Sequence, residues 1–309
     1  MGLGVPLNVA GTRFGYARED ELIPGPFEYH RPSNVGEAVA MLARLDSDAR
    51  LLAGGHSLIP MMKLRLAQPS SLVDLGGCAE LKGIRIEGGE IVIGAMTTQH
   101  EIIASEELTA AAPILRETAL LIADPQVRYM GTIGGNAANG DPGNDMPALL
   151  MTLGATYVLR GGAGERRVAA RDYYRGVYET AALAGEILTE IRIPTPPKGH
   201  GSAYEKLKRK VGDYATAAAA VVLTVSGGKI ASCAIGLTNV ADRPLLAVDA
   251  SAAVVGSALD KASLDKAAAA VETIVAPAED ARGSAEYRTK MAGVMTRRAL
   301  VRAFARAQV

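Results

Sequence analysis

Apolar residues recur at helical spacing through Val35-Gly36-Glu37-Ala38-Val39-Ala40-Met41-Leu42, and Ser33 just ahead is placed to cap them, so a helix ending near Leu45 is predicted. The short apolar run Arg50-Leu51-Leu52-Ala53 then enters a Gly-Gly turn, after which helical spacing resumes over 58–66. The order is strand, glycine turn, helix. Residues 71–75 read as a strand, and 84–86 and 91–93 as a hairpin around Glu87-Gly88-Gly89-Glu90. Helical spacing returns over 98–104 and 111–122. After a second glycine turn at Gly134-Gly135 it returns again over 147–153, and a strand follows at 155–159. Residues 194–200, dense in proline and glycine, mark a junction. Beyond it come strands at 219–226 and 229–239 joined through Gly227-Gly228, an alanine-rich helix over 264–275, and a basic amphipathic helix over 286–305. The pattern predicts an α+β chain: a two-lobed domain over 22–198, with lobes 22–78 and 79–198, then a second domain over 199–309. Residues 1–21 have mixed charges and no period, and read as a loose arm or appended extension.

Composition narrows the function. A chain of 309 residues with 49% hydrophobic and 21% charged residues is globular and long enough for two packed domains. Its 33 basic residues cancel 33 acidic ones, aromatics are only 4% and there is no Trp, so a nucleic-acid partner is set aside. Cys78 and Cys233 are far apart and cannot supply a CxxC zinc pair or the four thiolates of an iron–sulfur cluster. They read as buried reduced thiols. The start lacks a secretory pattern and no run reaches 18 apolar residues, so a soluble, cytoplasmic protein is expected. The Arg297, Arg298 and Arg302 side of the last helix reads as a solvated or subunit-contacting face.

The candidate chemistry lies in the two glycine turns, Ala53-Gly54-Gly55-His56-Ser57 and Thr132-Ile133-Gly134-Gly135-Asn136. Backbone amides chelate an anion only where no side chain blocks the approach, so paired glycines flanked by hydroxyl or amide residues suit a phosphate. A helix following the first turn adds the positive end of its dipole. The rival spacings fail: Gly2-Leu3-Gly4 leads to Leu7, Gly162-Ala163-Gly164 leads to Arg167, and no GxxxxGK occurs. Any dinucleotide is therefore held by neither a Rossmann unit nor a P-loop. The segment Asn139-Gly140-Asp141-Pro142-Gly143-Asn144-Asp145 lacks the ligand alternation and distal Glu of a calcium loop. Asp145 is either part of a tight polar turn or an acceptor for ligand hydroxyls, and spacing leaves both open. Of the histidines only His56 falls in a candidate site, where it either shapes the turn or touches the ligand. No metal-binding pair and no nucleophile-base grouping is legible, so no catalytic residue and no metal ligand is expected.

Residues 52–63 together with 128–136 resemble the flavoprotein subunits of the molybdenum hydroxylase family, which includes xanthine dehydrogenase. Residues 139–147, 204–215 and 285–292 are most similar to the FAD-binding medium subunits of aerobic molybdenum–copper carbon monoxide dehydrogenases. The likeness runs from about residue 22 to the C terminus. It implies two α/β lobes enclosing an extended FAD, then a domain with a small antiparallel sheet and helices. By matching motif, Ala53, Gly54, Gly55, His56 and Ser57, with Thr132, Ile133, Gly134, Gly135 and Asn136, would bind the pyrophosphate and its surroundings. Asp145 would take a hydroxyl of FAD, Tyr214 would cover the isoalloxazine from what reads as a strand-like run, and Lys206 would reach the flavin's polar edge. Leu188 would supply a packing or backbone contact, and Thr97 and Thr98 would line the adenosine side.

The same resemblance implies an electron-transfer subunit. FAD would accept electrons singly from iron–sulfur clusters in a small partner subunit and hand them to a quinone or other acceptor. Carbon monoxide would be oxidised at a molybdenum–copper centre in a large partner subunit, the whole forming a dimer of heterotrimers. Contact with the inner face of a membrane would run through those partners. The cysteine inventory agrees, since two isolated thiols hold no cluster. The alternatives are the equivalent subunit of an aldehyde- or N-heterocycle-oxidising enzyme, a stand-alone flavin oxidase, for which no general base is found, and an assembly subunit with a degenerate flavin site.

Overall fold

The computed structural model describes residues 23–307; the arm expected at 1–21 lies outside them. The first layer is a parallel three-stranded sheet of β1 (Glu28–His30), β2 (Arg50–Leu52) and β3 (Ser71–Asp74), ordered β1-β3-β2. Its crossovers carry α1 (Val35–Leu42) and α2 (Leu58–Lys63). Asn34, not Ser33, caps α1: its side chain accepts from the Glu37 N–H at 2.9 Å, while Glu37 turns back to the Ser33 N–H and hydroxyl. The cap sits one residue later because Ser33 serves as donor to that glutamate. Helix α1 stops at Leu42 rather than near Leu45, where the Arg44 N–H switches to the Met41 carbonyl and tightens the turn.

The second sheet joins β4 (Ile84–Glu87), β5 (Glu90–Gly94), β6 (Thr156–Gly161), β7 (Gly164–Ala169) and, after the two-stranded β8 (Tyr174–Gly176) and β9 (Glu179–Thr180), β10 (Ile187–Pro194). The order is β4-β5-β10-β6-β7, so β10 is inserted at the centre. A bulge between Leu188 and Glu190 lets the Thr189 hydroxyl donate to the Val158 carbonyl. Between β5 and β6 run α3 (Gln99–Ala104), α4 (Glu106–Ala111), α5 (Pro113–Ala119), α6 (Pro125–Met130), α7 (Ile133–Ala138) and α8 (Asp145–Thr152). The helix expected over 111–122 is shortened to α5: Pro113 opens it and holds Ala112 out of the helical region, so Ala111 closes α4 instead. Every residue of α8 is buried, which places this helix between layers.

The third sheet is antiparallel: β11 (Gly201–Leu207), β12 (Ala217–Ser226), β13 (Lys229–Thr238) and β14 (Leu245–Leu246). Helices α9 (Val248–Val254), α10 (Lys261–Ile274) and α11 (Ala285–Ala307) complete the chain, α11 lying across β11 and β12. Strand β12 buries both faces. Ala218 and Ala220 join the core that holds Ile91, Leu149 and Tyr157, while Ala217, Ala219 and Val221 join the core under α10 and α11. Gly236 of β13 lets α8 approach: a β-carbon there would stand 2.4 Å from the Ala148 carbonyl oxygen. A cavity lies beside the glycine segments.

Candidate cofactor site

A cavity of about 680 Å³ lies where the turn after β2, the start of α7, β10 and the loop after β11 meet. In the first glycine segment Gly55 has φ +75°, a conformation that L residues avoid. His56 Nδ1 lies 2.7 Å from the Gly54 carbonyl, so the histidine holds the turn shape. The N–H groups of Gly54, Gly55, His56 and Ser57 have no acceptor among the described residues. Such a run of free donors in a cavity wall is what an anion requires. Helix α2 has only six residues, so these N–H groups matter more than its dipole. Gly54 has a second role: a β-carbon there would stand 2.2 Å from the Met130 carbonyl oxygen, so its bareness lets the two glycine segments meet.

The second segment is not a turn but the start of α7, with Thr132 as its N-cap. Its amides from Ile133 to Asn136 are spent inside the protein. Ile133 N–H donates to Thr97 O, Gly134 N–H to Ala95 O, Gly135 N–H to Thr132 Oγ1 and Asn136 N–H to Thr132 O. These amides are therefore unavailable for the anion-binding role expected of them. Ile133 is buried in the core and is not part of the cavity wall. Gly134 lies against Ala95, where a β-carbon would approach the carbonyl oxygen to 2.6 Å. Thr132, Gly134, Gly135 and Asn136 do line the cavity, as do Ala53 and Ser57.

Asp145, Leu188, Lys206 and Tyr214 are brought to the same wall. Asp145 Oδ1 accepts from the Tyr204 hydroxyl at 2.6 Å and Oδ2 from Lys206 Nζ at 2.7 Å; Lys206 also donates to the Leu121 carbonyl at 3.3 Å. Both charges are buried, and desolvation pushes the Asp145 carboxyl above its ordinary range against the pull of the ammonium and the hydroxyl. Lys206 is thus bound to Asp145 rather than free at a ligand edge. Asp145 meets a ligand hydroxyl only with the lone pairs those two bonds leave. Tyr214 lies in the loop after β11, not in a strand, with its ring against Gly143 and the Arg282 guanidinium 5.6 Å from its centre. Glu186, also in the wall, is gripped by Arg166 at 2.6 and 2.7 Å, which holds its carboxyl below the usual range.

Thr97 and Thr98 are not in the wall. The Thr97 hydroxyl exchanges hydrogen bonds with Gly83, and Thr98 forms a capping box with Glu101 at the start of α3. The neighbouring Gln99, which sequence reasoning missed, lines the cavity with both amide atoms buried and unpartnered, and the Asn139 amide nitrogen is likewise unpartnered. Nothing local in the sequence marks either residue. Unsatisfied polar atoms beside an apolar cavity of this size fit a large, mostly apolar ligand with polar groups. With the free N–H run at 54–57, the donor set suits an extended, phosphate-bearing dinucleotide.

Comparison with known proteins agrees. Residues 25–196 match the family described as FAD binding domain in molybdopterin dehydrogenase, and 202–303 match the CO dehydrogenase flavoprotein C-terminal domain. The chain is 68% identical to the carbon monoxide dehydrogenase medium chain of Afipia carboxidovorans, over 93% of this chain and 100% of that one. It is 35% identical to the glyceraldehyde dehydrogenase medium chain of Sulfolobus acidocaldarius, over 90% and 98%. The solved structure of reconstituted CO dehydrogenase from Oligotropha carboxidovorans superimposes with a TM-score of 0.91 at 68% identity, over 92% of this chain and 99% of that one. The chain therefore belongs to the FAD-binding flavoproteins of the molybdopterin dehydrogenases, with a C-terminal domain of the CO dehydrogenase type.

Proposed function

We propose that this chain holds FAD in the cavity and serves as the electron-transfer subunit of an aerobic carbon monoxide dehydrogenase. The observation that carries this reading is the single wall that joins the free N–H run at 54–57 to Asp145, Leu188, Lys206 and Tyr214. The relative sharing 68% of its residues along the whole of its own length supports the enzyme type.

When bound, FAD supplies one- and two-electron redox chemistry. The chain's own residues bind and orient it. The N–H groups of 54–57 would take the pyrophosphate oxygens, while Gly134, bare against Ala95, and Gly135, bare against Thr132 and Ala53, let the second glycine segment close on the first. Leu42, Leu51 and Leu75, which pack in one cluster, and Leu188 give the cavity apolar surface that would suit the adenine. Asp145 would take a ribityl hydroxyl, and Tyr214 would cover a face of the flavin ring. The Lys206 ammonium, fixed by Asp145, places positive charge in a poorly solvated wall where added electron density is favoured. Cys78 and Cys233 are both free thiols, so the iron–sulfur clusters lie in a small partner subunit and the molybdenum–copper centre in a large one. The assembly is a dimer of heterotrimers that delivers electrons to a quinone or other acceptor. No helix among the described residues is long and apolar enough to cross a membrane, and any membrane contact of this cytoplasmic subunit runs through its partners. A division into 22–198, with lobes meeting near residue 78, and 199–309 would bring Lys206 and Tyr214 from the second domain to the cavity that the glycine segments line.

The test is the full chain purified and supplied with FAD. A flavin absorption spectrum is expected in wild type and is expected to be lost in Gly135→Val, whose side chain would crowd Thr132 Oγ1 and the Ala53 β-carbon. Carbon monoxide should leave that spectrum unbleached until both partner subunits are added. Bleaching of the chain alone would overturn the division of labour.

A further inference from the structure

Ala123 has φ +39°, and among the described residues that line the cavity no other non-glycine residue has a left-handed backbone. A β-carbon makes that conformation unfavourable, and strained residues persist where their surroundings over-determine them. Here they do. Arg128 Nη1 donates to the Ile122 carbonyl at 2.9 Å and to the Leu120 and Ala123 carbonyls at 3.4 Å each. Lys206 Nζ ties the Leu121 carbonyl, so two cations hold four successive carbonyls. Gly212, at φ +80°, braces the other side, where a β-carbon would stand 3.1 Å from the Ala123 oxygen. Pro125 opens α6 and keeps Asp124 extended.

The blander reading is a helix stop after α5. Glycine would serve a stop without strain, and α5 already closes through the Leu121 and Ile122 N–H groups onto Thr118 and Ala119. What a stop leaves unexplained is the Ala123 N–H, which has no acceptor among the described residues although the residue lines the cavity. A backbone donor beside a cavity asks for a partner inside it.

We propose that Ala123 is a positioning residue for the flavin: Arg128 and Lys206 hold its backbone left-handed so that its N–H donates to a heteroatom of the ring. The contact lies at the end of the cavity formed by Lys206, Gly212 and Tyr214, and it rests on the FAD occupancy proposed above. A donor aimed at the ring strengthens as the ring gains negative charge, so it favours the reduced form and raises the midpoint potential.

The experiment uses the full chain as wild type, Ala123→Gly and Arg128→Met. It measures FAD affinity by flavin fluorescence, midpoint potential by spectroelectrochemical titration and thermal unfolding without FAD. Ala123→Gly relieves the strain and frees the backbone. It should unfold at or above the wild-type temperature, bind FAD about fivefold or more weakly, and show a lower potential; a tenfold selective loss for the reduced form corresponds to about 30 mV. Arg128→Met should move affinity and potential the same way. If Arg128→Met does not fold, Ala123→Gly decides alone. An Ala123→Gly chain with wild-type affinity and potential reduces the residue to a helix stop and overturns the proposal. Weaker binding at unchanged potential places the contact off the ring and overturns it too, as does a destabilised Ala123→Gly chain, which removes the strain premise. Failure of the wild-type chain to bind FAD refutes the proposed function instead.

Discussion

Asp145 and Lys206 illustrate what a single side chain does here. Each charge is buried, and each is satisfied by the other plus one neutral partner, the Tyr204 hydroxyl and the Leu121 carbonyl. Removing one member leaves the other uncompensated, which costs about 3–5 kcal/mol for a buried pair. Lys206→Met should lose stability of that order in urea unfolding at neutral pH, and adding Asp145→Asn should recover most of it. A loss below about 1 kcal/mol would mean that water reaches the pair. The pH dependence has a definite sign. With its carboxyl already pushed above the ordinary range, Asp145 favours the folded state below its unfolded pKa and loses that contribution as pH rises through the folded value. The Lys206→Met deficit should therefore shrink on acidification. Both residues stand out in the sequence one at a time, but no local period links positions 61 apart, so their pairing is legible only in three dimensions.

Helix α7 shows where an element escapes sequence reasoning. Two adjacent glycines disfavour a helix by about 1 kcal/mol each relative to alanine, so Thr132 to Asn136 reads as a turn. The helix forms because its first amides are met by Thr97 and Ala95 carbonyls from the turn after β5, and because Gly134 alone can lie against the Ala95 backbone. Gly134→Ala should therefore destabilise the protein despite its better propensity, by about 1–3 kcal/mol in denaturant unfolding, since backbone cannot yield as a side chain does. A stabilised variant would show that helix propensity, not packing, governs this position. Local signals were sufficient elsewhere. The hairpin of β4 and β5 was legible from alternation around Gly88-Gly89 and α3 from helical spacing, while α6 could have been found from Asp124-Pro125. Strand β10 carries readable alternation at Ile191 and Ile193, yet its insertion between β5 and β6 has no local signature.

Over the whole molecule, the proline- and glycine-rich stretch at 194–200 changes sheets without interrupting the core. Tyr204, Ala218 and Ala220 pack with Ile91, Leu149 and Tyr157, and Glu117 of α5 accepts from the Tyr204 N–H while pairing with Arg302 and Arg306 of α11. A shared core couples unfolding, so calorimetry of the full chain should give one cooperative transition with matching calorimetric and van 't Hoff enthalpies. Two resolved transitions would mean that the halves are energetically separate. The sequence by itself determined the α+β class, the glycine segments, the absence of cluster-forming cysteines and the family, because these rest on residue type, local period and fixed spacing. Only the tertiary structure decided how the two glycine segments differ. Whether an amide is free for an anion depends on which acceptors the rest of the chain brings to it: among the described residues the N–H groups of 54–57 meet none, while those of 133–136 are filled by Ala95, Thr97 and Thr132.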